Sequence, residues 1–270
     1  MKYILLSLLL LGCTSTSYFK SLDQEKVQGL SEKEAADRFS LVSDVKYSLK
    51  FILTLGEKYS GENTISFTGL RADKPLRIDY HEGTVHGILL NGKNIDVKNY
   101  NSRFILIPKN TIKIGENTLK ILFSRNYNND GSGLHKFTDP EDKKQYLYTD
   151  FEPFDANKLF PCFDQPDLKA KYTLEVEAPK NWIVISYAKE KTIKDIGENK
   201  VWTFPESLKF STYIFSLHAG EYKVWEDSFE GMPLRLLARQ SLAKYVIPSE
   251  WFGISKQGFK FYNTYFGVNF

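Results

Sequence analysis

The sequence shows no excess of charge of one sign. Lysine and arginine together number 36 and aspartate and glutamate 33 of 270 residues, so the net charge is +3, with the two signs mixed along the chain. A nucleic-acid-binding chain carries a basic patch or stripe, and none is visible here. We therefore expect no nucleic-acid partner. No block of like charge exceeds a few residues, so nothing indicates a disordered charged tail.

The N-terminus lacks an apolar run that could span a bilayer. Tyr3 to Leu11 is apolar over nine residues, where a membrane-spanning helix takes about 20. The run follows Lys2 and leads into Leu10-Leu11-Gly12-Cys13, which is typical of a bacterial lipobox. We interpret residues 1–12 as a lipoprotein signal peptide and Cys13 as the lipidated residue; an ordinary secretory signal with an incidental cysteine is the alternative. Thr14, rather than Asp, favours the outer membrane of the cell envelope.

The sequence has only two cysteines. If Cys13 is acylated, Cys162 has no intramolecular partner. Cys162 lies between Pro161 and Phe163, which predicts a buried, inert thiol. A catalytic thiol would need a neighbouring base, and no histidine lies nearby in the sequence.

Several catalytic motifs are missing, among them a glycine-rich phosphate loop and a nucleophile elbow. The chain also has only four histidines: His81, His86, His135 and His218. The segment HEGTVH separates His81 and His86 by five positions, where two zinc-binding histidines on a helix are four apart. In a strand an odd spacing sends the two side chains to opposite faces. We therefore predict no zinc site in this chain.

What the sequence does have is aromatic content of 15% and a period-two pattern, which favour a β-rich fold. Asn91-Gly92 is a strong tight-turn signal, and no helical period is long enough for a βαβ unit. Short strands at this spacing predict a mainly β chain folded as an antiparallel β-sandwich. The predicted strands are 45–53, 59–67, 76–80, 84–90, 104–107, 118–123, 146–152, 171–177, 182–187, 200–204 and 211–217.

The remaining segments are predicted as a tether, a loop and two helices. Residues 14–30 are polar, and Ser31 with Glu34 forms a capping-box pattern that begins a short helix to about Phe39. The polar stretch 126–144 is predicted as a loop. After Pro248 a helix is predicted with Ser249 as N-cap and Gly267 as C-cap. Its apolar face has no evident partner in this chain and carries Phe252, Phe259, Tyr262 and Phe266.

Two carboxylates stand out in the central stretch 146–170. Tyr146 to Glu152 alternates like a strand, so Asp150 and Glu152 share one face, roughly 7 Å apart at the backbone. Pro153 cannot donate to a ladder and should end the strand. Two carboxylates aimed at one spot repel each other unless a cation lies between them. The candidates are a substrate ammonium, a metal ion, or a Lys or Arg of the same protein, in which case the pair is structural.

The run TDFEPFDANKLFPCFDQPDLKA resembles the signature of the N-terminal domain in the aminopeptidase N family of zinc metallopeptidases, whose usual form reads TQ-x-E-P-x-DAR-x-x-FPCFDEP-x-x-KA. The resemblance implies a saddle-like β domain in which Glu152 binds the free α-amino group of a peptide. Asp150 replaces the Gln that borders the first side-chain pocket. It thereby resembles members that prefer acidic N-terminal residues and in which this Asp helps to hold calcium.

The sequence departs from this signature at two further charges. Asn157 replaces the Arg of DAR and Gln165 replaces the Glu of DEP, so a salt bridge made by those charges is not implied here. YSGENTISF, STYIFSLHAGEY and the final helix ending in YFG also resemble segments of the family, which extends the resemblance to about residues 44–270. It implies a tether and short helix over 13–43, the β-sandwich over 44–230, and the start of an α-rich catalytic domain over 231–270, truncated at Phe270.

The resemblance implies a definite function. We expect the substrate-amine-binding domain of a lipid-anchored zinc aminopeptidase that removes N-terminal residues from peptides. Its partners would be peptides with a free N-terminus and a missing catalytic domain that supplies the zinc ligands and the catalytic residues. As written, the chain should be inactive. The alternative is a non-enzymatic lipoprotein β-sandwich that binds a ligand or partner.

Overall fold

The computed structural model describes residues 29–268. The predicted signal peptide, the lipidation site Cys13 and most of the predicted tether lie outside the described residues. Within the described part, we find no helix that combines the length and the apolar character needed to cross a membrane.

A short helix, α1 (Glu32–Phe39), begins the described chain, and its capping box confirms the prediction. The Glu34 N–H donates to Ser31 Oγ at 3.3 Å, and the Ser31 N–H donates to Glu34 Oε2 at 2.9 Å. Two amides that the helix itself leaves unpaired are thereby satisfied. Arg38, in the last turn, is only 2% exposed, so the helix is fixed to the body by a buried charged side chain.

About half of the described chain that follows is β-strand. The first nine strands are β1 (Val42–Ile52), β2 (Lys58–Gly69), β3 (Leu76–Asp79), β4 (Thr84–Leu90), β5 (Lys93–Ile95), β6 (Phe104–Ile107), β7 (Gly115–Asn126), β8 (Gly133–Thr138) and β9 (Gln145–Asp150). The later strands are β10 (Lys171–Pro179), β11 (Ile183–Ser186), β12 (Thr192–Ile196), β13 (Asn199–Phe204), β14 (Leu217–Gly220), β15 (Tyr222–Phe229) and β16 (Met232–Arg239). The second helix, α2 (Pro248–Phe266), follows.

The largest sheet has eight strands in the order β12-β13-β10-β1-β2-β7-β4-β5. Its neighbours are antiparallel except β1 and β10, which run parallel with Lys46 opposite Lys171 and Ile52 opposite Glu177. Along β1 the buried and exposed residues alternate, as the period-two pattern predicts. One face of the sheet therefore covers the core and the other faces solvent.

A four-stranded sheet in the order β11-β14-β9-β8 provides the second layer, and β3 pairs with β6 beside it. The segment after β9 fills the space between the layers: Phe160 meets Tyr47 edge-on at 5.7 Å, and Phe163 meets Phe67 at 5.8 Å. The antiparallel β-sandwich is thus confirmed. The aromatic residues of the central stretch belong to its core.

Two parts of the chain differ from the predicted pattern. Residues 126–144 are not all loop, because β8 pairs with β9 through register partners from Gly133–Asp150 to Thr138–Gln145. The predicted strand 211–217 is instead a 3₁₀ turn (Thr212–Ile214) followed by β14. β8 pairs with β9, and β14 pairs with both β11 and β9, so both strands depend on neighbouring strands and not on an apolar alternation of their own.

Helix α2 packs on the hairpin formed by β15 and β16. The Phe259 ring stacks on Phe229 at 5.9 Å, Lys256 Nζ lies 2.6 Å from Asp227 Oδ2, and Phe252 is buried. The expectation that the helix has no partner in this chain is therefore wrong. Tyr262 and Phe266 do remain exposed, and Gly267, at a φ of 67°, ends the helix as predicted.

Candidate functional site

Asp150 and Glu152 lie where the four-stranded sheet ends. Asp150 is the last residue of β9 and pairs with Gly133, the first residue of β8. The predicted strand through Glu152 is therefore two residues too long, because β8 offers no partner beyond Gly133. Glu152 lies in the following turn and is joined to Pro153 by a cis peptide bond. Both carboxylates are exposed.

Neither carboxylate is neutralised by a basic side chain of residues 29–268. The ion pair nearest in sequence joins Lys158 to Asp155, at 3.0 Å. Asp150 Oδ1 instead accepts the Glu152 N–H, at 3.4 Å. The described residues thus offer no structural salt bridge for the pair. Two exposed acidic groups two positions apart make the surface locally negative, and a bound cation would reduce their repulsion.

The chain approaches itself closely behind this surface. Gly133 has a φ of +63°, and a Cβ atom there would come within 2.9 Å of Lys158 Cβ. Only glycine accommodates both conditions without strain. The start of β8 can therefore lie directly against the segment that follows Glu152.

The turn itself runs from Phe151 to Asp155. Phe151 is buried, and its carbonyl accepts the Asp155 N–H at 2.9 Å. On the other flank a cavity of about 290 Å³ is lined by Pro153, Phe154, Asp155, Asn157, Lys158, His81 and Gly29. Burial lowers the pKa of His81 from its usual value. The turn is thus packed on one side and open on the other.

Asn157 and Gln165, the two departures from the signature, do not contact each other through hydrogen bonds. Asn157 donates to Asp164, whereas Gln165 Oε1 accepts the Arg38 Nε–H at 2.9 Å. Arg38 also lies 2.5 Å from Asp79 Oδ2, and both side chains are almost fully buried. A buried network linking α1, β3 and the segment after β9 therefore replaces any pairing of positions 157 and 165.

Sequence reasoning missed Arg38, Asp79 and Asp164 as members of this network. Arg38 reads as an ordinary cation in the last turn of a helix, where it complements the helix dipole. In the sequence, Asp164 stands out only as part of the signature run. No local pattern marks Arg38 as buried, because its partners Asp79 and Gln165 lie 41 and 127 positions away in the sequence.

His86, His135 and the thiol of Cys162 behave as ordinary structural groups, whereas the buried Nδ1 of His81 has no hydrogen-bond partner among the described residues. His86 is bonded to Ser124 Oγ at 2.8 Å, and His135 Nδ1 accepts the Gly131 N–H at 2.9 Å. Cys162 is fully buried, and burial raises the pKa of its thiol well above the usual value, with Asp164 and Asp79 adding to the effect. The predicted buried thiol is confirmed.

Metal-binding groups are sparse in the described part of the chain. Residues 29–268 contain no group of three or more His, Cys, Asp or Glu side chains that could hold a metal ion. Zinc, which such a site would hold through three or four of these side chains, does not fit the residues described here. Asp150 and Glu152 alone likewise do not make a calcium site, which takes six to eight oxygen ligands.

Comparison with known proteins gives a consistent result. Residues 43–214 match the peptidase M1 N-terminal domain. The chain is 34% identical over 245 residues to aminopeptidase N of Streptomyces lividans, covering 88% of this chain and 28% of that protein. It is 33% identical over 142 residues to glutamyl aminopeptidase of Homo sapiens, covering 50% of this chain and 14% of that protein.

A third relative is aminopeptidase A of Gloydius brevicauda, 32% identical over 173 residues, which are 62% of this chain and 18% of that protein. The chain therefore spans between 14% and 28% of the length of these relatives. The comparisons thus match only part of much larger proteins.

Proposed function

This chain belongs to the peptidase M1 family, and on that premise we propose that it is the domain of an aminopeptidase that binds the substrate's amino terminus. Glu152 accepts hydrogen bonds from the α-ammonium group of a peptide. The proposed domain covers residues 44–230 and the proposed start of the catalytic domain residues 231–270, a boundary that falls in the turn of the β15–β16 hairpin. Alone, the chain does not hydrolyse peptides.

The observation that carries the proposal is the exposed, unneutralised carboxylate pair at the end of β9. An α-ammonium group has three N–H donors and a full positive charge, and its hydrogen bonds to a carboxylate are of the stronger, charge-assisted kind. An internal peptide bond offers neither the charge nor the donors. Glu152 therefore distinguishes a free N-terminus from the middle of a chain.

Asp150 borders the pocket for the first side chain in this proposal. Two of the relatives carry the names glutamyl aminopeptidase and aminopeptidase A, and a preference for an acidic first residue is the corresponding proposal here. Asp150 would repel such a residue unless a cation such as calcium bridged the two carboxylates. The remaining calcium ligands would come from the substrate, from water and from residues outside 29–268.

Zinc belongs to the catalytic domain in this proposal, since the described residues do not fit it. Bound there by other residues, it would supply the activated water of the hydrolysis. The contribution of this chain is confined to holding the substrate amine at the carboxylate pair. Orientation of a substrate lowers the barrier to its reaction even when the binding group takes no part in the chemistry.

Helix α2 presents the surface that would meet the catalytic domain. Its outer side carries large exposed side chains, namely Trp251, Ile254, Phe261, Tyr262, Tyr265 and Phe266. A contiguous apolar surface of this kind is typical of an interface. We propose that the catalytic domain covers it.

The proposal also places the enzyme in the bacterial cell envelope, anchored to the outer membrane through lipids on Cys13. Metabolic labelling with a radioactive fatty acid tests this anchor. The chain expressed in a bacterium should incorporate the label, and the Cys13→Ser variant should not. Equal labelling of the two proteins would rule out Cys13 as the lipidated residue.

Amine recognition can be tested on the purified chain by NMR. Trialanine should shift the backbone amide signals of Asp150 and Glu152, whereas N-acetyl-trialanine at the same concentration should not. Glu152→Gln should abolish the shift, and Glu116→Gln, an exposed change at the start of β7, should leave it intact. Equal shifts with both peptides, or with and without the Glu152 carboxylate, would contradict the proposal. So would zinc-dependent turnover of an aminoacyl chromogenic substrate by the chain alone.

A further inference from the structure

The turn from Phe151 to Asp155 is supported unequally on its two flanks. Phe151 is only 2% exposed and packs in the core, whereas Pro153, Phe154 and Asp155 line the cavity of about 290 Å³. Side-chain packing therefore fixes the first residue of the turn but not the last three. Hydrogen bonds must hold the open flank in place.

Besides the Asp155 N–H bond to the Phe151 carbonyl and the Lys158–Asp155 ion pair, the open flank is held by Asn157. The residue is 4% exposed, and its Nδ2 amide donates both to the Phe154 carbonyl at 3.1 Å and to Asp164 Oδ2 at 2.7 Å. The Asn157 N–H donates to the same Asp164 oxygen at 3.0 Å, and the Asn157 carbonyl accepts the His81 N–H at 3.0 Å. A single amide group thus connects the carbonyl of the turn to a buried carboxylate.

That carboxylate is itself firmly held. Thr212 Oγ1 donates to Asp164 Oδ1 at 2.6 Å, and the Asp164 N–H donates to Asp79 Oδ2 at 3.2 Å. Asp79 is in turn fixed by Arg38 and by Arg77, at 2.5 and 2.6 Å. Buried networks in which the donors and acceptors are paired are rigid. Asp164 is consequently an anchor for whatever Asn157 holds.

We propose that Asn157 is a positioning residue for Glu152. Its amide fastens the Phe154 carbonyl to the Asp164 anchor and so sets where the Glu152 carboxylate stands relative to a peptide amine. The inference rests on the proposed function of Glu152. Asn157 itself hydrogen-bonds to Phe154 and Asp164 and not to the Glu152 side chain, so it would act on the substrate only through Glu152.

Amide hydrogen exchange in the full 270-residue chain tests the fastening without any peptide. Asn157→Ala should accelerate exchange of the Asp155 N–H about tenfold relative to β9 amides such as that of Leu147, because it removes both side-chain hydrogen bonds. Asn117→Ala is the matched control: Asn117 is equally buried, at 3% exposed, and its Nδ2–H donates to the Lys113 and Gly115 carbonyls at 2.7 and 2.9 Å, outside the turn and its network. If the Asn157→Ala variant fails to fold, Asn157→Ser serves for the same comparison.

Selective acceleration in the Asn157 variant alone supports the inference. No selective acceleration, or equal acceleration in Asn117→Ala, overturns it, because the exchange would then report a general loss of stability and not the release of the turn.

A second readout depends on the peptide. The trialanine-induced shift at Glu152 should be lost or weakened in Asn157→Ala and kept in Asn117→Ala; an undiminished shift in Asn157→Ala would overturn the inference. If the unmodified chain shows no shift with trialanine, it is the proposed function of Glu152 that fails. The exchange experiment then still decides whether Asn157 holds the turn.

Discussion

At the scale of single residues, the most unusual group is the carboxyl of Asp164. It is 2% exposed, and within residues 29–268 its hydrogen-bond donors are all neutral, those of Asn157 and Thr212. Burial raises its pKa above the usual 3.8, and the neighbouring Asp79 acts in the same direction. The folded chain therefore holds a proton on Asp164 over a pH range in which the unfolded chain has released it.

This difference makes a prediction about stability and pH. Because the folded state binds more protons above about pH 4, the free energy of unfolding contributed by Asp164 is largest below that pH and is lost as the pH rises through the raised pKa. Asp164→Asn cannot titrate. Urea unfolding from pH 4 to 7 should therefore show the unmodified chain losing stability relative to the variant as the pH rises. Parallel profiles for the two proteins would exclude a raised pKa at this residue.

Two stacked tyrosines allow a matched test of a buried hydroxyl. Tyr47 and Tyr172 are both buried, with ring centroids 5.2 Å apart. The Phe163 N–H donates to Tyr47 Oη at 2.9 Å, whereas Tyr172 Oη is buried with no hydrogen-bond partner among the described residues. The two hydroxyls thus differ in what their removal would leave behind.

Tyr47→Phe should lower the free energy of unfolding by about 1–3 kcal/mol, because it leaves the buried Phe163 N–H unpaired. Tyr172→Phe should be neutral or slightly stabilising, because it removes a polar atom that has no partner. Denaturant unfolding of both variants at pH 7 measures the difference. Equal losses would show that ring packing, and not the hydrogen bond, decides the result.

At the scale of elements, the capping box of α1 does more than start a helix. It fixes the helix that carries Arg38 into the buried network with Asp79 and Gln165. Glu34 also lies 3.1 Å from Arg77, which connects the cap to the same network from outside. Weakening the cap should therefore also weaken the hydrogen bonds and ion pairs of the network.

Ser31→Ala should destabilise the chain by about 1 kcal/mol, the usual effect of losing an N-cap side chain. Exchange of the α1 amides should accelerate more than that of β7, which lies in the interior of the large sheet. Ser43→Ala, a change outside the helix, is a suitable control. If the α1 amides are unaffected, the hydrogen bonds of Ser31 contribute little to holding the helix.

The elements also show how far prediction from the sequence reaches. Long strands with one buried face, such as β1 and β2, are predictable because burial imposes the alternation. β12 is an edge strand with every residue exposed, so no alternation marks it. β8 is a strand because β9 pairs with it along its length and Asn128 bonds to its other side, and neither partner can be recognised from the sequence of β8. In the same way, a local motif is enough to predict Asp150 and Glu152 as site residues. The network of Arg38, Asp79 and Asp164 cannot be predicted locally, because it depends on contacts between distant segments.

At the scale of the whole molecule, α2 packs some of its aromatic residues inside the chain and leaves others exposed. Phe252 and Phe259 pack on the β15–β16 hairpin, and the outer residues, including Tyr262 and Tyr265, remain exposed. Exposed apolar surface of this extent favours association in water. The isolated chain should therefore be prone to associate with itself.

Sedimentation velocity over a range of concentrations should show this association. The double variant Tyr262→Lys and Tyr265→Lys should sediment as a monomer at concentrations where the unmodified chain forms larger species. Ile193→Lys, a change to an exposed residue of β12, should leave the association unchanged. A monomeric unmodified chain at all concentrations would contradict the prediction.

The parallel pairing of β1 with β10 has a consequence for biosynthesis. β1 lies between β2 and β10 in the large sheet, yet residues 53–170 separate it from β10. The ribosome therefore synthesises β2 through β9 before β10 can pair with the side of β1 that lies opposite β2. Until then one edge of the nascent sheet is open to any extended chain that meets it. A message that ended before residue 171 would release a polypeptide with that edge permanently unfilled.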